Sequence, residues 1–189
     1  GWNVWDALPG WSVLSGPGIE VEKSGVVTRS QSGRHHVELD SHGGTDTNSV
    51  MFQSLYLASG SYDLSFWYFA RTNHSGNDNG IFAGIADAAS PFDYSLFYGT
   101  VSKTRNETRG LWEEVNWSFD IEAAGTYHVT FGAYGRDNSL GGLIDNVSLH
   151  GDITPVPEPS VFLLFGFGLL GITMIARRQL CPVAQRNRP

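Results

Sequence analysis

Within eight residues, the run His35-His36-Val37-Glu38-Leu39-Asp40-Ser41-His42 gathers three imidazoles and two carboxylates. Zinc chemistry would need three or four such ligands converging with one position left open. On a strand the side chains alternate, so His36, Glu38 and Asp40 share one face, with His42 able to join from the following loop. The simpler reading of the same alternation is a half-buried strand, with Val37 and Leu39 inward and the polar set on a solvated face. A glycosidase would need two carboxylates facing each other across a cleft. Glu38 with Asp40, and Glu113 with Glu114, are chain neighbours whose spacing assigns neither role. There is no Gly-x-Ser-x-Gly elbow. No catalytic residue is assigned, and the body reads as non-enzymatic.

Two other clusters suit binding better than catalysis. Sugar rings stack on exposed aromatic faces while Asn, Asp, Arg and His bond their hydroxyls. Trp67 and Phe69 lie on the side of their strand opposite its apolar set, and Arg71, Asn73 and His74 follow in the next loop. Tyr134, Arg136, Asp137 and Asn138 repeat that mixture at another strand end. The competing reading packs Trp67 and Phe69 beneath a loop. Asp145 is a third candidate, because it shares strand parity with Leu143, Val147 and Leu149. A carboxylate aimed at a core needs strong hydrogen bonds or a cation, and calcium, which takes several oxygen ligands, is the candidate cofactor. A bulge at Gly141-Gly142 would instead put Ile144 inside and leave Asp145 capping a turn.

These residues sit among repeated period-two patterns. Tyr62, Leu64, Phe66 and Tyr68 alternate with Asp63, Ser65, Trp67 and Phe69; Tyr127, Val129, Phe131 and Ala133 alternate with Thr126, His128 and Thr130. Leu111, Val115, Trp117, Phe119 and Ile121 align in a third run. Shorter strands are expected at 19–21, 26–28, 35–39, 50–57, 81–85 and 143–149, separated by Gly/Asn/Asp-rich turns. About nine strands with such turns predict an all-β fold, an antiparallel sandwich or jelly roll, over residues 1–150.

The charge is unevenly placed. Residues 1–152 hold 18 Asp+Glu against 8 Lys+Arg, whereas the rest holds one Glu and four Arg. An acidic body argues against nucleic acid, whose binding rests on Lys/Arg neutralising phosphates. Residues 151–159 read as a Pro-rich linker carrying Pro155, Pro157 and Pro159. From Ser160 to Ala176 there is no charge, and 17 residues span about 25 Å as a helix, close to a hydrocarbon core of about 30 Å. A single transmembrane helix is therefore expected over 160–178. Arg177 and Arg178 place the C-terminus in the cytoplasm and the body outside. Gly166, Gly168 and Gly171 spell G-x-G-x-x-G inside this run, but no acidic residue follows and no strand precedes, so a dinucleotide site is rejected. Residues 179–189 form a short tail with the single cysteine, Cys181.

Val156-Pro157-Glu158-Pro159, the apolar stretch and Arg177-Arg178 together resemble a PEP-CTERM sorting signal of exported bacterial proteins. The resemblance implies recognition of Pro157, Glu158 and Pro159 by an exosortase-type membrane transpeptidase. It also implies temporary anchoring in the inner membrane, then release to the cell surface or extracellular space. Export calls for a signal peptide, and a start at Gly1 without an apolar stretch leads us to expect one removed.

In the body, Leu8-Pro9-Gly10-Trp11, Gly18-Ile19-Glu20-Val21, His35 to Ser41, Phe52 to Leu55, Tyr62 to Tyr68 and Gly141 to Leu149 occur in an order similar to galactose-binding-like sandwiches of the DUF642 type. That resemblance implies a jelly roll associated with carbohydrate, often with structural calcium. Those relatives open with an Asn-Gly-x-Phe-Glu strand, and no such strand is read at the start of this sequence. The function expected is an exported envelope or matrix protein whose body binds cell-surface or extracellular polysaccharide. A structural matrix (biofilm) protein is the alternative, and a polysaccharide hydrolase the third reading.

Overall fold

Alternating apolar residues can satisfy both their backbone and their side chains only by pairing into a sheet and covering one face of it. The computed structural model, which describes residues 1–42, 46–74 and 77–153, shows twelve strands in two antiparallel sheets of six. In chain order they are β1 (Trp2–Trp5), β2 (Ala7–Leu8), β3 (Trp11–Ser15), β4 (Ile19–Lys23), β5 (His35–Glu38) and β6 (Val50–Leu57). They continue with β7 (Gly60–Phe69), β8 (Gly80–Asp87), β9 (Phe97–Val101), β10 (Glu113–Ile121), β11 (Gly125–Tyr134) and β12 (Leu143–Ile153). Sheet A runs β1-β4-β5-β12-β7-β10 and sheet B runs β2-β3-β6-β11-β8-β9.

The core lies where the two longest period-two runs meet. Tyr62, Leu64, Phe66 and Tyr68 of β7 are at most 6% exposed, and they face the likewise buried Tyr127, Val129, Phe131 and Ala133 of β11. Phe66 meets Phe131 edge-on at 5.1 Å and leans on Trp117 at 5.2 Å. Along one flank Phe97 closes the sandwich by packing on Trp117 and Phe119. The opposite flank is looser, with Leu8, Trp11, Val37, Leu55, Val147 and Leu149 only partly buried.

Several expectations need correction. A strand does open the described chain: β1 pairs with β4 from Trp2↔Glu22 to Trp5↔Ile19. Val26–Thr28 forms no strand, because the Gly25 N–H turns back to the Thr28 carbonyl. β9 was not anticipated, since Phe97-Tyr98-Gly99 carries a glycine where a strand side chain would be expected. An added Cβ at Gly99 would sit 2.9 Å from the Trp117 ring, so that position must be bare. β12 runs on through Ile153, which moves the domain's end past residue 150 and takes Gly151–Ile153 out of the linker. The remaining linker, the expected membrane helix at 160–178 and the tail lie outside the described residues.

Phe66 is the test of this core. Phe66→Ala should destabilise residues 1–153 by about 3–5 kcal/mol, the usual cost of a buried Phe cavity. Urea unfolding should show a lower midpoint with an unchanged slope; a shift corresponding to less than about 1 kcal/mol would mean that the sheets do not close on this ring.

Candidate functional site

The outer face of sheet A is where the polar sequence clusters converge, and it is sealed. His36, Glu38 and Asp40 are 2%, 0% and 1% exposed, which corrects the expectation of a solvated face. Period two set their side correctly, but Trp112, Arg71 and the 138–141 segment lie over that side. Glu20 and Glu22 of β4 point the same way and are equally buried. Oxygens of Glu20, Glu22 and Glu38 lie within 4.8 Å of one another. Each is answered from within the protein. Arg71 Nη1 donates to Glu38 Oε2 and, at 3.2 Å, to the Ser139 carbonyl, and it stands 3.9 Å from Glu22 Oε1. His36 Nε2 meets Glu22 Oε2 at 2.8 Å, while the backbone N–H and Nδ1 of His42 both reach Glu20. Gly141 N–H donates to Glu38 Oε1 at 2.6 Å. Burial pushes the Glu38 carboxyl well above the ordinary value, and Arg71 pulls against it.

Calcium takes six to eight oxygens. Of the oxygens in this trio only Glu22 Oε1 lacks a hydrogen bond, and Arg71 already supplies a cation beside it. The donors present do not fit a calcium ion in this arrangement. Asp145 does not join them. It pairs across from Trp67 on the outer side, accepting the N–H of Ser32 through Oδ2 and of Asn146 through Oδ1. The parity expected for it fails because the register shifts between Asp145 and Ser148, with Asn146 at φ 51. Ile144 therefore points inside, as the bulge alternative requires, although the bulge follows Asp145 rather than preceding it.

The two loop clusters read from the sequence meet at one end of the sandwich, bonded to each other. Asn138 Nδ2 donates to Asp78 Oδ1 at 2.6 Å, and Asp78 Oδ2 is reached by Thr72 and His74. Burial raises the Asp78 carboxyl, but the hydrogen bonds from Thr72, Asn138 and His74 outweigh it and hold the group below its ordinary value. Asn73 Oδ1 accepts Asn106 N–H, and Asp137 Oδ1 accepts Asn48 N–H. Tyr134 is half-buried and Arg136 exposed. Trp67 is half-buried, whereas Phe69 is fully covered by Trp112 at 5.4 Å and by the Arg105 guanidinium, so it offers no ring to a ligand.

The outer face of sheet B differs in kind. The register sets Phe52, Thr130, Gly84 and Tyr98 in one row across β6, β11, β8 and β9. Val50, Gly132, Phe82 and Thr100 form the next row, and Ser54, His128 and Ala86 flank the first. The loop after β8 lays Tyr94 over Gly84, where an added Cβ would sit 2.4 Å from the ring. Tyr94, Tyr98 and Phe82 then cluster with centroids 5.5–6.0 Å apart, and His128 lies against Phe52 at 4.2 Å. Tyr56 and Tyr98 are 74% and 55% exposed. None of these strand positions carries a charge, in a body with an excess of ten acidic groups.

Two buried polar atoms on this face, His128 Nδ1 and Thr130 Oγ1, have no hydrogen-bond partner among the described residues. Burial raises the Tyr94 hydroxyl above its ordinary value, with Thr130 pulling against it. Burial holds the His128 imidazole below its ordinary value, against the pull of Asp87. Such a face can stack a ring and bond its hydroxyls. Sequence reading placed Thr126, His128 and Thr130 off the core; what it lacked was the rings that β6, β8 and β9 bring beside them.

Residues 155–179 match the PEP-CTERM protein-sorting motif. The sorting motif thus covers the Pro157-Glu158-Pro159 run, the apolar stretch and Arg177-Arg178, all outside the described residues. A search of curated proteins finds no match. Among solved structures the fold is similar to the K1 cleaved adhesin domain of Lys-gingipain from Porphyromonas gingivalis W83. The TM-score is 0.52 at 17% identity, covering 80% of this chain and 98% of that one. It is also similar to the N-terminal CBM22-1–CBM22-2 tandem domain of Xyn10C from Paenibacillus barcinonensis. Here the TM-score is 0.52 at 9% identity, covering 84% of this chain and 46% of that one. These likenesses are of fold alone, a two-sheet antiparallel sandwich.

The sealed cluster makes its own prediction. Arg71→Met should cost about 3–5 kcal/mol, the penalty for leaving a buried carboxylate unpaired, and more than Glu38→Gln, which keeps an acceptor for Gly141 N–H. Thermal unfolding should be unmoved by EDTA or by millimolar calcium. A large calcium-dependent rise in the melting temperature would show that the carboxylates rearrange around an ion.

Proposed function

We propose that residues 1–153 are a non-catalytic carbohydrate-binding module of an exported protein, and that glycan lies on the outer face of sheet B. The supporting observation is the combination there of exposed tyrosine rings and strand hydroxyls with no charged strand position. Pyranose rings offer apolar C–H faces to aromatics and hydroxyls to polar atoms, which is what such a surface can answer. Trp67 and the loop residues Arg71, Asn73, His74, Tyr134, Arg136 and Asp137 are less suited, since Arg71, Asn73, His74 and Asp137 already spend polar atoms on Glu38, Asn106, Asp78 and Asn48.

Delivery rests on the sorting motif. In this reading an exosortase-type membrane transpeptidase recognises Pro157-Glu158-Pro159 while the apolar stretch at 160–178 holds the chain in the inner membrane. Processing then frees the sandwich to the cell surface or matrix, where it meets polysaccharide.

Affinity electrophoresis of residues 1–153 against neutral polysaccharides should show retardation. Tyr98→Ala should weaken it about threefold to tenfold, the value of one aromatic stack, while lowering the melting temperature only slightly, because the ring is 55% exposed. The depressed His128 value fixes the sign of the pH effect. The imidazole is neutral above its lowered value, so binding should be flat through neutral pH and fall as acid places a charge on the buried ring. His128→Gln should remove that fall. Migration unaffected by any polysaccharide would defeat the reading.

Processing is tested separately in the producing cell. Mass spectrometry of the released protein should find a C-terminus near Pro157-Glu158-Pro159, and Pro157→Ala with Pro159→Ala should retain full-length chain in the membrane. Equal release of that variant would remove the motif from the sorting step.

A further inference from the structure

Along one flank the sandwich does not close, because strands that start there as neighbours part. β5 pairs with β12 only at Leu143↔Glu38 and Ile144↔Val37, and the bulge after Asp145 then carries β12 away. In sheet B, β3 pairs with β6 no further than Ser12↔Phe52. Between the two sheets at this flank lies a cavity of about 350 Å³. Its floor is Leu64 and Ile144, both fully buried, and its rim is Leu55, Val147 and Leu149, half-buried. Room for about ten waters between such walls is poorly hydrated, and an alkyl chain gains by replacing them.

Two polar groups interrupt this apolar lining. Gln53 lies across from Val129, at an inward position of β6 where Met51, Leu55 and Leu57 are apolar. The turn between β2 and β3 lies against its amide: Gly10 stands at φ 83, and an added Cβ there would be 2.8 Å from Gln53 Nε2. Trp11 follows, its ring edge-on to Phe131 at 5.9 Å. Among the described residues neither the Gln53 amide nor the Trp11 indole N–H has a hydrogen-bond partner, whereas Trp112 donates its own to the Arg29 carbonyl. An amide set among apolar side chains with its bonds unspent is a recognition element for one uncharged polar group. Asp145, at the rim, turns its carboxylate to the outer side, onto the N–H groups of Ser32 and Asn146. Among the described residues no cation lines the cavity, so an anionic head group has nothing there to pair with.

We propose that this cavity binds an uncharged amphiphile, an alkyl chain of about eight carbons carrying a hydroxyl, since its volume is about twice that of a cavity that takes a benzene ring. The chain lies between the sheets against Leu64 and Ile144. The hydroxyl bonds the Gln53 amide and accepts the Trp11 N–H. This site is separate from the outer face of sheet B, so it and the glycan surface can fail independently.

Residues 1–153 form a compact unit with their own core, and Met51, which lines the cavity at 3% exposure, is their only methionine. A carbon-13 methyl label on methionine therefore gives one NMR signal that reports on the cavity. Titration with n-octanol should move that signal to saturation, with sodium octanoate at least about tenfold weaker. Gln53→Leu should weaken n-octanol about threefold to tenfold, the worth of one neutral hydrogen bond, without lowering the melting temperature, since the amide it removes has no partner in the fold. Leu149→Trp should fill the slot and abolish the shift. A Met51 signal unmoved by n-octanol up to its solubility limit, or a shift that grows without saturating, would overturn the proposal. So would equal affinity for octanoate, or undiminished n-octanol binding by Gln53→Leu, because the head group would then go unread.

Discussion

The ion pair between Arg71 and Glu38 is the contact on which the arrangement of sheet A depends. Glu38 is fully buried, and a carboxylate taken out of water persists only if its charge and lone pairs are answered. Arg71 arrives from the end of β7 and Gly141 N–H from the start of β12, so one side chain on β5 holds three elements in register. The same guanidinium donates to the Ser139 carbonyl, and Asp40 takes the N–H of Leu140 at 3.0 Å. The chain entering β12 is thereby fixed before its first residue. Phe69 and Leu143, opposite each other on this face, complete the seal under Trp112. With β12 pinned at Leu143 and Ile144, its bulge at Asp145 to Ser148 turns the rest of the strand away from β5 and leaves the flank open.

The two outer faces consequently do different work with similar residue types. On sheet A, histidines meet carboxylates at 2.8 Å and are used up in holding the fold. On sheet B, His128 has an aromatic neighbour, Phe52, and an Nδ1 without a hydrogen-bond partner among the described residues. A cluster of ionisable groups marks a site only when the protein leaves some of their bonding capacity unspent. By that standard the run from His35 to His42, the most chemical-looking stretch in the sequence, is architecture.

How much of this was legible follows from what period two can report. In β7 and β11 alternation extends over four apolar positions each, and those side chains are the core as read. β5 shows the limit: alternation separates His36, Glu38 and Asp40 from Val37 and Leu39 but is silent on whether the polar side is covered. The cover comes from Arg71, Trp112 and Leu140, distant in sequence, and nothing local announces it. β1 to β3 are short, interrupted by Asp6 and the Pro9-Gly10 turn, and are held by partners rather than by their own pattern. At Asp145 parity fails because a bulge adds a residue, and Asn146, in the left-handed region without being glycine, gives no compositional cue. The face of sheet B was half visible, since Thr126, His128 and Thr130 read as outward, while the rings beside them come from three other strands.

The charge distribution narrows what such a face can hold. The body carries an excess of ten acidic groups, whose field reaches about one Debye length, roughly 8–10 Å in physiological salt. A polyanionic glycan approaching the Tyr56 and Tyr98 rings would meet that field with no Lys or Arg on the face to offset it. A neutral glycan would meet the exposed Tyr56 and Tyr98 rings without that penalty. An imidazole kept uncharged by burial is consistent with that choice, because a protonated one would attract the anions that the rest of the domain repels. If this face binds glycan as proposed, its lack of charged strand positions favours neutral polysaccharide over polyanionic.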